Sequence, residues 1–206
     1  RDSPVDVPGI DTAGPRVQAA ALSKELSWRE VSTVCDVGGG VGVLLERLLD
    51  DHPHLLGILL DRPAVAAEAL PRLRSGPLAA RCGFVGGDYL EDVPNACDRY
   101  VLMAIMTGCS DAEAVDLLGS VRRALPADAA VLVVGNVVSD RPRDEMAQAT
   151  DLLLLALGVG RERTRSEYLT LFAAAGLVLR REHRLSTGSS AFELTTRAGQ
   201  RWRPLH

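Results

Sequence analysis

The sequence predicts a single α/β domain built on a doubly wound, mostly parallel sheet. Short apolar and β-branched runs alternate with stretches whose apolar residues recur at helical spacing. The chain has 206 residues, of which 47% are hydrophobic, and this is enough for one domain with a full core. Glycines and acidic residues recur where the predicted strands end, and ligands of such sheets bind beyond those ends.

The first half of the chain is predicted to supply four of the strands. Residues 1–16 are rich in Pro, Gly and Asp and are expected to form an extended lead-in. After it, apolar residues three and four positions apart mark helices, and short β-branched or apolar runs mark strands. The predicted elements are helices over 17–26, 43–49 and 64–73 and strands over 31–35, 56–60, 81–85 and 98–103.

Two capping boxes place helices in the second half of the chain. Ser110 with Glu113 starts a helix that continues to Leu125, and Thr164 with Glu167 starts a helix over 165–175. The other predicted elements are a strand over 130–138, a helix over 146–157 and a closing hairpin of strands over 177–183 and 191–197. Strands therefore alternate with helices up to that hairpin, which predicts a mostly parallel sheet.

The glycine-rich turn at 36–42 joins the first strand to a helix and is the first candidate ligand site. Glycines permit a sharp turn and a close approach to a ligand, and the N–H groups that begin the helix favour a negative group. Asp61, at the end of the second strand, is well placed to accept hydrogen bonds from ribose hydroxyls. Two plainer interpretations stay open: the turn is purely structural, or Asp61 caps the helix that Pro63 opens.

Composition argues against several classes of function. A net charge of −4 argues against a mainly electrostatic nucleic-acid binder, and no apolar run approaches the roughly 20 residues that span a membrane. The four cysteines are scattered, so reduced thiols in the cytoplasm are expected. His52 and His54 have no carboxylate or thiol at metal-ligand spacing, so no metal site is predicted.

Four motifs, in order, carry a resemblance to a known family. They are 36–42, Asp61, Gly87–Tyr89 and Gly160–Thr164. Together they resemble the S-adenosylmethionine-dependent O-methyltransferases that act on small molecules, which include plant caffeate and flavonoid enzymes and bacterial polyketide-tailoring enzymes. The resemblance covers about residues 17–197, and the bacterial branch is the more similar. It implies a Rossmann-like, seven-stranded sheet with an antiparallel last strand, and an aromatic or polyketide natural product as the methyl acceptor.

The resemblance also implies which residues hold the cofactor, S-adenosylmethionine. Residues 38–40 would approach its methionine part, and Asp61 would bind the ribose hydroxyls. Asp88 would bond the adenine amino group and Tyr89 would pack on the ring, while Met103 replaces a Lys often found near the cofactor. The cofactor-binding residues implied in this way are Asp36, Gly38, Gly39, Gly40, Asp61, Asp88, Tyr89 and Met103.

Members of this family usually carry an N-terminal helical domain that dimerises and helps to line the substrate pocket. No such domain is found in residues 1–206, so residues 17–206 are predicted to be the cofactor-binding domain alone. A second copy or a companion chain is the partner expected to supply the missing part.

The catalytic positions depart from the family pattern. Thr107 stands where the family has a His base, and a threonine hydroxyl cannot act as a general base near neutral pH. Of the two carboxylates that usually flank that His, the first matches Asn136 and the second matches Glu162, which is retained. A free phenol has a pKa of about 10, so a reaction at neutral pH needs a base or strong positioning.

Three interpretations of these departures compete. In the first, the protein is an O-methyltransferase that acts by proximity on an acidic hydroxyl. In the second, it keeps the cofactor but runs another reaction, such as a hydroxylation, decarboxylation or cyclisation. In the third, it is a non-catalytic partner that binds a cofactor or another chain. Retained Asp61 and Asp88 favour cofactor binding, so they argue against a wholly inert scaffold. Glu162 could orient a substrate, although its Arg neighbours are equally compatible with a surface ion-pair cluster. Cys109 lies near the expected pocket, but no neighbouring His supports it as a nucleophile.

Overall fold

The computed structural model describes residues 13–74, 76–138 and 161–197. Within these ranges the chain alternates strands and helices, as the sequence predicts. The helices are α1 Ala13–Glu25, α2 Val43–Asp51, α3 Pro63–Leu73, α4 Asp111–Ala124 and α5 Arg165–Ala174. The strands are β1 Thr33–Val37, β2 Leu56–Asp61, β3 Cys82–Gly86, β4 Arg99–Met103, β5 Ala130–Gly135, β6 Val137–Val138, β7 Arg163–Thr164, β8 Leu177–Arg184 and β9 Ser190–Thr196.

Seven of these strands form one sheet in the order β3-β2-β1-β4-β5-β9-β8. The first five strands pair in parallel, whereas β9 runs antiparallel to both β5 and β8. This confirms the predicted doubly wound sheet with an antiparallel last strand. The chain reverses its direction of winding between β1 and β4, and ligands of such sheets bind outside the carboxyl ends of the strands at that point.

The sheet separates two apolar cores. Successive residues of a strand face opposite sides, so Val34 and Val101 pack with α1, α2 and α3, whereas Cys35 and Leu102 pack with α4 and α5. Both faces of the sheet are therefore covered by helices, which is why the parallel strands read as continuous apolar runs in the sequence.

Both predicted capping boxes are present. The Ser110 hydroxyl accepts from the backbone N–H of Glu113, whose carboxylate accepts from the Ser110 backbone N–H. Thr164 and Glu167 make the same reciprocal pair at the start of α5. Each box satisfies backbone donors that the first turn of a helix leaves unpaired, so both helix starts were readable from the sequence.

Two predicted boundaries are wrong by more than two residues, and one helix is not tested. α1 begins at Ala13, inside the predicted lead-in, because Pro15 lies in the first turn, where its missing N–H costs no helical hydrogen bond. The fifth strand leaves the main sheet after Gly135, and Val137–Val138 pair with β7 instead. Periodicity cannot show this change of partner. The helix predicted over 146–157 lies outside the described residues. No helix in the described ranges is long and apolar enough to cross a membrane.

Candidate functional site

The turn between β1 and α2 is joined to the end of β2 by hydrogen bonds. The Gly40 N–H donates to Asp61 Oδ2 at 2.7 Å, and the Arg62 N–H donates to Asp61 Oδ1 at 2.7 Å. The Gly38 N–H donates to the Leu60 carbonyl at 2.8 Å. Asp61 is only 7% exposed. The structure therefore joins the glycine turn and Asp61, the residue predicted to bind the ribose, in one hydrogen-bonded unit.

The glycines of this turn differ in what surrounds them. Gly38 has φ +66, and a Cβ there would collide with the Ile105 side chain. Gly40 has φ +56, yet a Cβ there would meet no atom of the described residues within 4 Å. Both conformations favour glycine over other residues. Gly38 is thus a packing position, whereas Gly40 borders open space in which a ligand can reach the backbone.

Behind the turn lies a buried carboxylate. Asp36 is 1% exposed, and its Oδ2 has no hydrogen-bond partner among the described residues. Burial, and secondly the charge of Asp61, raise the pKa of Asp36 to about 7, although a hydrogen bond from the Leu45 backbone opposes this. A cation placed at the turn would stabilise the ionised form. The site therefore fits a ligand that carries positive charge and also offers hydroxyl groups to Asp61.

The buried Asp36 leads to a testable pH dependence of stability. Its pKa rises from 3.8 to about 7 on folding, so the folded protein binds the proton more tightly across that window. The contribution of Asp36 to stability is present in full below pH 4 and is lost as the pH rises through 7, by at most about 1.4 kcal/mol per pH unit.

Urea unfolding of the wild type and Asp36→Asn from pH 4 to 8 measures this effect. Asparagine does not titrate, so the free energy of unfolding of the wild type is expected to fall relative to that of the variant as the pH rises. Parallel curves for the two proteins would show that Asp36 keeps an ordinary pKa.

The end of β3 carries the predicted adenine-binding pair. The Asp88 carboxylate accepts from the Leu90 N–H at 2.8 Å, and the Asp88 N–H donates to Asp92 Oδ2 at 2.8 Å. Tyr89 is half-buried against the core on the α4 side, and its carbonyl accepts from Ser120. The Gly87 N–H donates to the Asp61 carbonyl at 3.1 Å, so this turn adjoins the end of β2 that carries Asp61. Asp88 itself is exposed at the rim.

The segment after β4 closes the other side of the glycine turn. Met103 is half-buried against the core on the α1 side. The next residue, Ala104, has φ +61, a left-handed conformation that alanine rarely adopts. This turn places Ile105 against Gly38. Backbone strain of this kind clusters at functional sites, and no sequence signal marked Ala104.

The three predicted acceptor-side residues, Thr107, Asn136 and Glu162, lie at the same edge of the sheet. The Arg161 N–H donates to the Thr107 carbonyl at 2.9 Å, and the Asn136 side-chain amide donates to Glu162 Oε1 at 3.0 Å. The pairing of β6 with β7 sets Val137 opposite Arg163, which places the residues before them side by side. The structure thus brings together three positions that are separated by up to 55 residues in the sequence.

The two arginines beside Glu162 do not form a mere surface cluster. Arg163 is fully buried and donates to the carbonyls of Met106 and Cys109 and to the Asp111 carboxylate. Arg161 bridges Asp111 and Glu167 at 2.8 Å each. These bonds hold the segment after β4 in place. Sequence reasoning missed this role, because no local pattern shows which carbonyls an arginine will reach.

Other candidate groups have structural partners. The Cys109 thiol donates to the Ile105 carbonyl, and burial raises its pKa, which is the opposite of what a nucleophile needs. His183 Nε2 lies 3.7 Å from Glu193, and His54 Nε2 lies 3.0 Å from the Trp28 carbonyl. Across the described ranges, no three His, Cys, Asp or Glu side chains are grouped to hold a metal ion.

Comparison with known proteins identifies the family. A model of the O-methyltransferase domain matches residues 15–178. The chain belongs to the O-methyltransferase domain family. The family and fold implied by the sequence motifs are thereby confirmed.

Individual relatives agree with this assignment. The phenazine O-methyltransferase of Lysobacter antibioticus is 38% identical over 175 residues, which are 85% of this chain and 51% of that protein. The mitomycin 7-O-methyltransferase structure has a TM-score of 0.82 at 32% identity, covering 88% of this chain and 53% of its own.

A third relative is a neocarzinostatin-biosynthesis O-methyltransferase solved with S-adenosylmethionine and 2-hydroxy-5-methyl naphthoic acid. It has a TM-score of 0.76 at 32% identity, covering 85% of this chain and 52% of its own. The chain therefore spans about half the length of the relatives that it matches.

Proposed function

We propose that this chain is the catalytic domain of an S-adenosylmethionine-dependent O-methyltransferase that methylates a hydroxyl group of a small aromatic or polyketide natural product. The observation that carries the proposal is the hydrogen-bonded unit of the glycine turn and Asp61. Among the described residues, none would crowd a Cβ at Gly40, and none bonds to Oδ2 of the buried Asp36 behind the turn. The relatives named for phenazine, mitomycin and naphthoic acid chemistry support this class of acceptor.

The cofactor would be held by residues of three neighbouring strand ends. A carboxylate offers about four lone-pair sites, and the backbone occupies two of those of Asp61, so capacity remains for ribose hydroxyls. Asp88 and Tyr89 at the end of β3 would bind the adenine, and residues 38–40 the methionine part. When bound, the cofactor supplies an electrophilic methyl group on a positively charged sulfur. Asp36 would balance part of that charge from behind the turn.

The acceptor side works by orientation rather than by a protein base. Neither Thr107 nor Asn136 can take a proton near neutral pH. Holding a reactant in a productive geometry can lower a barrier by several kcal/mol without any base, provided that the acceptor hydroxyl is itself acidic. Glu162 would orient that substrate by accepting a hydrogen bond from it. Arg161 and Arg163 would hold the segment after β4 rigid beside the substrate.

The chain is proposed to work in the cytoplasm, since its four cysteines are free thiols. Residues 17–206 would form the cofactor-binding unit, and a second copy of the chain or a companion chain would complete the acceptor pocket. The absence of a titratable base at 107 and 136 favours a second candidate function, in which the protein binds the same cofactor but carries out another tailoring reaction or assists a partner enzyme.

Calorimetric titration with S-adenosylmethionine and S-adenosylhomocysteine tests the proposal. Micromolar binding of both is expected, followed by methyl transfer when the loaded protein is screened by mass spectrometry against hydroxynaphthoic acids and hydroxyphenazines. Cofactor binding without any methylated product would favour the second candidate function. Failure to bind either compound would contradict both.

A further inference from the structure

A line of polar side chains runs from α1 to Glu162. Gln18 Nε2 donates to Ser189 Oγ at 2.8 Å, and Ser189 Oγ donates to Asn136 Oδ1 at 3.0 Å. Asn136 Nδ2 then donates to Glu162 Oε1 at 3.0 Å. These residues come from α1, the turn between β8 and β9, the end of β5 and the segment before β7. The sheet order brings them together, and no motif predicted Gln18 or Ser189.

In each hydrogen bond of this line, the donor lies on the Gln18 side and the acceptor on the Glu162 side. A hydroxyl carries a single proton, so Ser189, which accepts from Gln18, has its own proton left for the Asn136 carbonyl. Gln18 Nε2 also lies 3.5 Å from that carbonyl oxygen. With its oxygen facing these two donors, Asn136 must turn its NH₂ group toward Glu162. That group can only donate, so it favours the ionised carboxylate.

Because Ser189 is buried, reversing the direction of hydrogen-bond donation along this line would be costly. Ser189 is 1% exposed, and a buried hydroxyl left without a partner costs about 1–3 kcal/mol. The amide at 136 also determines the combined charge of residues 136 and 162. A carboxylate at this position would lie close to a like charge, and one of the two groups would then hold a proton. With Asn136 in place, Glu162 is instead an acceptor of hydrogen bonds.

Two described neighbours of Glu162 do not give up a proton to it. Arg163, the next residue, is occupied by Asp111 and two carbonyls. Tyr168 of α5 is 1% exposed, and burial followed by the charge of Glu162 raises the pKa of its hydroxyl, so it stays protonated. The described surroundings of the carboxylate thus include an amide donor and a neutral phenol.

We propose that Asn136 is a positioning residue for Glu162, that Gln18 and Ser189 fix the direction of its amide, and that the site selects acceptors with a hydrogen-bond donor beside the methylated oxygen. A second hydroxyl or an amine on the acceptor would provide that donor. The part that concerns acceptors rests on the proposed O-methyltransferase function, whereas the part that concerns the polar line does not.

Titration of Glu162 followed by NMR of ¹³C-labelled glutamate carboxyls tests the polar line in the absence of any ligand, with Glu162→Gln assigning the resonance. Asn136→Asp is expected to raise the midpoint of the Glu162 titration by at least about one pH unit, because two carboxylates in contact share a proton. Ser189→Ala is expected to raise it less, since the amide is then free to turn. Ser186→Ala is the matched control: Ser186 lies on the same turn but bonds to Glu25.

Midpoints equal to that of the wild type in both Asn136→Asp and Ser189→Ala would overturn the positioning role. Circular dichroism of each variant separates loss of fold from loss of the hydrogen bond. If Ser189→Ala does not fold, the surface-exposed Asn136→Asp change decides the matter alone.

Acceptor selection is tested with catechol and 2-methoxyphenol, which differ by one hydroxyl donor. Their binding to the chain saturated with S-adenosylhomocysteine is measured by ligand-observed NMR. Catechol is expected to bind at least about tenfold more tightly, as one hydrogen bond to a charged group allows. The preference should vanish in Glu162→Gln, whose amide must turn its oxygen to Asn136. Equal binding of the two probes, or binding of neither, would overturn the selection. Failure of S-adenosylhomocysteine to bind would contradict the proposed function, and the titration would still decide the polar line.

Discussion

Asp61→Ala is expected to weaken binding of S-adenosylmethionine about 100-fold or more, as measured by calorimetry. The substitution removes a charged acceptor for the ribose hydroxyls, and hydrogen bonds to charged groups contribute about 1.5–3 kcal/mol each. It also releases the Gly40 and Arg62 N–H groups that Asp61 now accepts, so the glycine turn loses its anchor to β2. Both effects act in the same direction on affinity.

Asp98→Ala is the matched control for this prediction. Asp98 also accepts backbone N–H bonds, from Ser32 at 2.8 Å and Thr33 at 2.9 Å, but it does so just before β4, at the opposite edge of the sheet. We expect this variant to lose some stability and to keep its cofactor affinity. Unchanged affinity in Asp61→Ala, or an equal loss in both variants, would contradict the assignment of Asp61 to the ribose.

Arg163→Met is expected to lower the free energy of unfolding by about 3 kcal/mol. Methionine fills the space but removes two hydrogen bonds that the guanidinium donates, one to the Met106 carbonyl, which keeps the Cys109 N–H as a partner, and one to the part-buried Cys109 carbonyl. Hydrogen bonds from a charged group contribute about 1.5–3 kcal/mol each. The lost ion pair adds less than a fully buried pair would, because the Asp111 side chain is 55% exposed and water can solvate it. Urea unfolding at pH 7 measures the change.

Arg165→Met provides the comparison, since it lies two residues further along the chain. Arg165 pairs with Glu182 at 2.7 Å, but its side chain is 51% exposed. An exposed pair is worth roughly 0–1 kcal/mol, so this variant should unfold nearly as the wild type does. Similar losses in the two variants would mean that Arg163 acts only through its charge and not through the carbonyls that it holds.

The elements with local causes were predictable from the sequence. The capping boxes at Ser110 and Thr164 and the alternation of strands with helices depend on residues a few positions apart. They predicted the order of these elements along the chain and the mostly parallel class of the sheet. The position of Asp61 at the carboxyl end of β2 was also predictable, because a parallel strand brings its last residue to that edge of the sheet whatever the rest of the chain does. Its role in ribose binding stays a prediction. The roles of Asp88 and Tyr89 in cofactor binding stay predictions.

What only the tertiary structure decided concerns contacts between distant parts of the chain. The buried, unbalanced Asp36, the left-handed Ala104 beside the turn, and the hold of Arg163 on carbonyls more than fifty residues away have no local signal. The split of the fifth strand at Asn136 is of the same kind. By itself the sequence determined the fold class and the placing of the glycine turn and Asp61 at one edge of the sheet, since periodicity and turn chemistry are local. The structure decided which partners Asn136 bonds to and which carbonyls Arg163 holds, since hydrogen-bond partners and burial arise only when the sheet has assembled.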